Sequence, residues 1–489
     1  MGIYKRFLNA YWNARVVYGC IVLLMALGSD FVMCGCNLQS TAVTKGAYQT
    51  GTFITRSDSM LQLNGKPFRF AGANIYWLGL QEKNGNAIYP SHFQVDDALA
   101  TASAMGATVI RSHTLGISTG CNLCIEPHLG SFQQTAFQHI DYAIQEAGKY
   151  HLKLIIPLTD NWHYYHGGKH NFTDWRGVNE DQFYADSQVV DDFKQYISML
   201  LNHVNNYTGI AYKDDPTILG WETGNELSAP PIWVQNIAEY IKSIDKNHLI
   251  VDGNYEWDTN SSNFLADLQI GSIDIYTGHY YPPSSSALQV QSQQAIQAKK
   301  VFMVGEFDWN TNDGSSLADF LPAVEHSGIA GDLYWSLWPH ADTYGFVPQN
   351  EHFTLHYPGE TPDEQRRASM LRTHAYAMQG LSPPQPDMPK QPYITNFQDS
   401  TLYWRGAVGA YTYTIERSTQ SSNGPWTVLC THCAAYGVPW MDATHPSGTS
   451  WYRVKGVSLS GYDGPYSNPY QVTTDSTSSA WYGQGEAEG

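Results

Sequence analysis

The chain has 489 residues, 42% hydrophobic and only 15% charged, with a formal net charge of −18. That composition supplies a large core and excludes a disordered chain. So negative a field repels phosphate backbones and anionic lipid surfaces, which argues against nucleic acid and membranes as partners.

At the N-terminus, Lys5, Arg6 and Arg15 precede an apolar run from Val16 to Gly28. Charge followed by a short apolar stretch is an export-signal pattern, and the run is shorter than the ~20 residues of a membrane span. Met33-Cys34-Gly35-Cys36 resembles a degenerate lipobox. Residues 1–36 therefore read as a signal, ending in ordinary cleavage or in a lipid anchor on Cys36, and 37–52 as a polar tether. The expected location is extracytoplasmic, secreted or as a cell-surface lipoprotein.

From 53 to 380, short β-rich runs alternate with helix-like stretches. The strands are predicted at Phe68–Ala73, Thr108–Ser112, Leu152–Leu158, Ile218–Glu222, His248–Asp252, Ile273–Tyr276, Val301–Val304 and Gly331–Trp335. Several are near-continuous apolar runs, as parallel strands buried on both faces must be. Helices are predicted at Phe93–Met105, Ala136–Tyr150, Ile232–Ile244 and Leu317–His326. In the first, Val95, Leu99 and Ala102 share an apolar face, and Gln94, Asp97 and Thr101 fall on the opposite, solvated one. This alternation predicts an α/β fold, a (β/α)8 barrel. The alternative is an open doubly wound sheet, disfavoured because no strand is followed by a Gly-rich dinucleotide fingerprint.

Two Cys-x-x-Cys pairs follow the leader, Cys121/Cys124 and Cys430/Cys433. They can form two local disulfides or, if they met in space, one zinc site; their placement in separate domains favours disulfides. Residues 381–392 form a Pro-rich linker. Residues 393–475 alternate at period two, as in Leu402–Ala407, Tyr411–Ser418 and Trp451–Val457, and predict a small β-sandwich resembling a fibronectin type III domain. It reads as a spacer rather than a sugar binder. The Ser/Gly/Glu-rich tail 476–489 predicts disorder.

Cleaving a bond between sugars needs two carboxyl groups across it, one to protonate the leaving oxygen and one to attack or to activate water. In a parallel barrel both should stand at C-terminal strand ends. Glu226, in Trp221-Glu222-Thr223-Gly224-Asn225-Glu226, and Glu306, in Val304-Gly305-Glu306-Phe307, fit that placement. A lone strand-end Glu is more simply a solvated or salt-bridged one. The Asn before Glu226 and a second strand-end Glu three strands later tip the balance.

With these residues the sequence resembles glycoside hydrolase family 5 of the clan A barrels. The resemblance implies Glu226 as acid/base and Glu306 as nucleophile. It implies Arg111, Asn225, His279 and Tyr281 as their support, with Trp335 flooring the sugar site. The likeness is closest to fungal-type endo-β-1,4-mannanases, through Gly72-Ala73-Asn74-Ile75-Tyr76-Trp77 and Asp160-Asn161-Trp162. These imply Asn74, Tyr76, Trp77, Asn161 and Trp162 as substrate-binding residues. Asp160 stands where that pattern has Asn, and His163, His166 and His170 make the loop unusually His-rich. The His spacing is too irregular for a metal motif, and the implied chemistry calls for no metal or organic cofactor. The expected partner is a polysaccharide or oligosaccharide. The alternatives are another β-glycosidase of the same family (cellulase, exo-β-mannosidase or β-galactan-type) and a catalytically silent polysaccharide-binding protein.

Overall fold

The computed structural model describes residues 51–255, 262–349, 351–385 and 388–474. The expected export signal, Cys36, nearly all of the tether and the tail 476–489 lie outside the described residues. No helix among those described is long and apolar enough to cross a membrane.

Eight parallel strands close into a barrel: β1 (Phe70–Asn74), β2 (Val109–Arg111), β3 (Lys153–Pro157), β4 (Ile218–Glu222), β5 (Leu249–Val251), β6 (Ile275–Tyr280), β7 (Val301–Asp308) and β8 (Gly331–Trp335). Closure is the β8–β1 pairing, Gly331↔Phe70 through Trp335↔Asn74, which rules out the open sheet. Phe70, Val109, Ile155, Leu219, Val251, Ile275, Met303 and Leu333 form one inner core, and Ile54 and Leu61 from a short N-terminal sheet join it. Outward residues such as Ile110, Leu154, Trp221, Phe302 and Val304 pack under the helices. The barrel is therefore a filled core, and its chemistry sits at the C-terminal rim.

Helices α1 (His92–Ala104) and α2 (Gln134–Lys149) follow β1 and β2. A capping box between Ser91 and Gln94 starts α1 by satisfying free amides at its first turn. Val95, Leu99 and Ala102 are buried as expected, but so are Asp97 and Thr101, at 6% and 4% exposure. The reason is tertiary: Asp97 accepts from the backbone and ring nitrogens of His340, in the long segment after β8. The face expected to meet water meets protein instead.

Beyond the linker, β9 (Tyr393–Gln398), β10 (Thr401–Arg405) and β13 (Trp440–Met441) form one sheet. β12 (Thr427–Cys433), β11 (Thr412–Ser418), β14 (Gly448–Val457) and β15 (Asp463–Tyr466) form the other, with β16 (Tyr470–Thr474) also on β14. Leu402 and Trp404 of the first sheet share a buried core with Tyr413, Ile415, Tyr452 and Val454 of the second. The structure forms the Cys121–Cys124 and Cys430–Cys433 disulfides.

Candidate active site

Arg111, at the end of β2, is completely buried and organises the rim. Its Nε and Nη2 donate to the two oxygens of Glu222 at 2.7 and 3.1 Å. Nη2 also donates to Asn225 Oδ1 (2.7 Å), and Nη1 to Glu306 Oε1 (2.8 Å) and Asn74 Oδ1 (3.1 Å). Burial opposes its charge, but Glu222 and Glu306 outweigh burial and hold the guanidinium protonated. Burial pushes the Glu222 carboxyl up despite that pairing.

Glu306 reaches the cavity through a bulge. Val301 and Met303 point to the inner core, and Phe302, Val304 and Phe307 point outward. Simple alternation would turn residue 306 outward too. Against β6, Gly278 pairs with Val304 but His279 pairs with Glu306, so Gly305 is an extra residue that restores the inward aim. A Cβ at 305 would overlap Thr277 Oγ1 and lie 2.6 Å from His279 Nε2. Tyr281 donates to Glu306 Oε2 at 2.9 Å. Burial first, then Glu306, raises the Tyr281 pKa and keeps it a donor.

Glu226 adopts φ +52°, in the left-handed region that a non-glycine residue enters at a cost. Its neighbours fix it: Asn161 N donates to Asn225 O and Leu227 N to Gly253 O. Trp162 Nε1 donates to Glu226 Oε2 (2.6 Å), and His279 Nδ1 lies 2.8 Å from Oε1. One ligand atom each from Glu226, His279 and Glu306 lies within 4.8 Å of the others. Burial opposes charge on His279, but Glu306 and Glu226 prevail and raise its pKa.

A second cluster stands behind Asn225. Asp160 Oδ1 accepts from Trp162 N (3.0 Å) and Asn225 Nδ2 (3.1 Å), and Oδ2 pairs with His166 Nε2 (3.0 Å). His113, Asp160 and His166 are close enough to hold a cation. However, Arg111 Nη1 lies 2.8 Å from His113 Nε2 and can only donate, so the His113 proton sits on Nδ1, the nitrogen facing Asp160. That nitrogen has no lone pair to give, and the cluster is a hydrogen-bonded support. Burial, with Arg111, holds the His113 pKa well below its ordinary value, consistent with a neutral ring.

The aromatic residues divide. Tyr76 stacks on Trp335 with ring centroids 4.8 Å apart and planes 2° off parallel, while Trp162 is 41% exposed beside Glu226. Trp77 and Asn74, expected to touch substrate, do not reach the surface. Trp77 is 0% exposed, stacks on Trp338 and donates to Leu337 O, and Asn74 spends its amide on Arg111 and Gly305 O. Asn161 is half-buried, its side-chain oxygen held by Lys169. Sequence reasoning missed Glu222, His113 and Asp160 as parts of the cluster, although Glu222 and Asp160 lie in motifs it singled out. It also missed Glu351, which lies close to Trp335 and whose carboxyl burial raises. No local pattern marks that residue.

Residues 178–308 match the family described as GH family 5 beta-mannosidase-like. Mannan endo-1,4-beta-mannosidase 1 of Arabidopsis thaliana is 34% identical over 268 residues, 50% of this chain and 64% of that protein. Mannan endo-1,4-beta-mannosidase 4 of Solanum lycopersicum is 31% identical over 306 residues, 54% of this chain and 75% of that protein. The crystal structure of an endo-1,4-beta-mannanase from Rhizomucor miehei superposes with a TM-score of 0.56 at 27% identity, covering 67% of this chain and 100% of that one. The chain spans less than two thirds of the Arabidopsis relative's length and three quarters of the tomato relative's.

Proposed function

The chain belongs to glycoside hydrolase family 5, and from that membership we propose that it cleaves a β-1,4-mannan-type polysaccharide with retention of configuration. The observation that carries this reading is the pair of carboxylates on one cavity, Glu226 and Glu306, with oxygens within 4.8 Å. Retaining enzymes place their carboxyl groups ~5–5.5 Å apart, whereas inverting ones leave ~6.5–9.5 Å for a water.

Glu306 is the nucleophile. Arg111 and Tyr281 each donate to one of its oxygens and aim the carboxylate at the anomeric carbon. Glu226 is the acid/base: it protonates the leaving oxygen, then takes a proton from the water that hydrolyses the glycosyl-enzyme. Asn225, fixed by Arg111 and Asp160, and His279 position these two groups. Trp335, backed by Tyr76, gives a flat floor for a sugar face, and Trp162 offers a second face beside the acid/base. The mannose preference rests on the names of the relatives, since epimers differ by one hydroxyl and so by one or two hydrogen bonds.

The C-terminal sheets join β9–β10–β13 to β12–β11–β14–β16, an arrangement that supports the fibronectin type III-like reading. Two disulfides support an oxidising, extracytoplasmic location. The test is initial rates on mannan, glucomannan, cellulose oligomers and β-galactan under one condition, with the first-formed anomer read by NMR. Mannan first with the β-anomer retained is expected. Faster cleavage of cellulose or galactan would overturn the mannose assignment, and an inverted product the mechanism.

A further inference from the structure

The segment 336–361, between β8 and α3 (Pro362–Met378), touches both the cleft and the C-terminal sheets. Its near arm is tied to the rim: Ser336 N donates to Phe353 O, Leu355 N to Ser336 O and Trp338 N to Leu355 O. Phe353 meets the Tyr281 ring edge-on at 5.3 Å, and the Glu351 carboxyl lies close to Trp335. Residues 351 and 353 thus flank the proposed sugar floor.

The far end is held from the other side. Arg405 Nε donates to Asp342 O at 2.7 Å, with its guanidinium 4.6 Å from the centre of the Phe93 ring on α1. Thr395 Oγ1 donates to Thr343 O (2.9 Å), Gly345 N to Gly437 O (3.2 Å) and the Tyr436 hydroxyl to Glu360 O. Gly406 lies so close to His340 that a Cβ there would overlap its ring. Ala434 and Tyr436 both adopt left-handed φ, +51° and +62°. Strain of that kind persists only where surroundings over-determine it, and here it falls where the sheets meet the barrel. A merely tethered spacer would need none of these contacts.

We propose that the C-terminal β-sheets are a positioning part of the cleft: through Arg405 and Tyr436 they hold the far end of segment 336–361 so that Glu351 and Phe353 stand beside Trp335 and bind the sugar chain. This rests on the glycosidase reading for what the cleft holds, and not for the clamp itself. Long irregular segments in compact domains are commonly functional, and one clamped at both ends loses less freedom when it meets a ligand.

The experiment uses the full chain with Arg405→Ala, Tyr436→Phe and Arg405→Lys. Amide hydrogen exchange over 336–361 is read together with binding of β-1,4-mannohexaose to each protein and kcat and KM for its hydrolysis. Arg405→Ala is expected to speed exchange in the segment about tenfold, weaken binding and raise KM about fivefold, with kcat within about twofold, as a charged hydrogen bond, the Asp342 ion pair and the cation–π contacts with Phe93 and Tyr393 are lost. Tyr436→Phe should act in the same direction. Arg405→Lys should recover part of each effect, since Lys keeps a cation over Phe93. Unchanged exchange in the segment, or faster exchange with unchanged binding, would overturn the proposal. A wild-type chain that binds the hexasaccharide but cleaves no glycan would overturn the functional reading instead, and exchange with binding would still decide on the clamp.

Discussion

Arg111 Nη1 reaches Glu306 Oε1 at 2.8 Å only because β7 carries one residue more than β6 just before the carboxylate. The bulge at Gly305 turns a side chain that strand alternation would aim at the helices into the cavity, where the buried guanidinium can pair with it. Site geometry in this protein thus depends on a glycine that has no side chain to offer.

Gly305→Ala should therefore cost both stability and activity. Overlap with Thr277 and crowding of His279 leave the added methyl no room unless the bulge shifts. Overpacking of this kind costs ~1–3 kcal/mol. Chemical denaturation should show that loss, and turnover should fall by about tenfold or more as Glu306 is displaced. A stable, fully active variant would mean that the bulge does not set the aim of Glu306.

The two carboxylates should separate in their kinetics. Glu306→Ala and Glu226→Ala should each lower turnover by about 10²–10⁴-fold or more without unfolding the chain. With an activated aryl glycoside, whose leaving group needs little protonation, Glu226→Ala should be limited by deglycosylation. Azide should then rescue it as a β-glycosyl azide. Equal rescue of both variants to the same anomer would contradict the assignment.

Trp162→Phe keeps an aromatic face but removes the indole donor 2.6 Å from Glu226. Hydrogen bonds to charged groups are worth ~1.5–3 kcal/mol, less where water competes. Because Trp162 is 41% exposed, kcat should fall about five- to tenfold with KM little changed. A rise in KM alone would show that Trp162 serves as a stacking surface only.

Glu126 gives a pH-dependent stability outside the proposed chemistry. Its Oε1 accepts from Gly130 N at 2.7 Å, and its Oε2 is buried without a hydrogen-bond partner among the described residues. Burial raises its carboxyl from the ordinary 4.5 to about 7. Between those values the folded chain keeps a proton that the unfolded chain has lost. Stability from this group is therefore highest below pH 4.5, falls as pH rises, and levels off above about 7. Glu126→Gln, which can still accept from Gly130, should flatten that slope in denaturant titrations across the window. An unchanged slope would mean that the carboxyl titrates normally.

The barrel is legible in the chain alone. Apolar runs such as Ile218–Glu222 and Gly331–Trp335, buried on both faces, appear in the structure with the boundaries read from the chain. The chain also marked Glu226, Glu306, Arg111, His279 and Tyr281, because strand ends and short motifs are local features. Tertiary structure decided which way those side chains face and what stands behind them. Asn74 and Trp77 read as cleft residues but are spent on Arg111, Gly305 and Leu337. Asp97 and Thr101 read as solvated but are buried, Asp97 against a distant segment. Glu351 carries no local signal at all. Periodicity records how a segment alternates, whereas a bulge, a long-range hydrogen bond or a covering loop depends on residues hundreds of positions away, and those contacts form only once the barrel has closed.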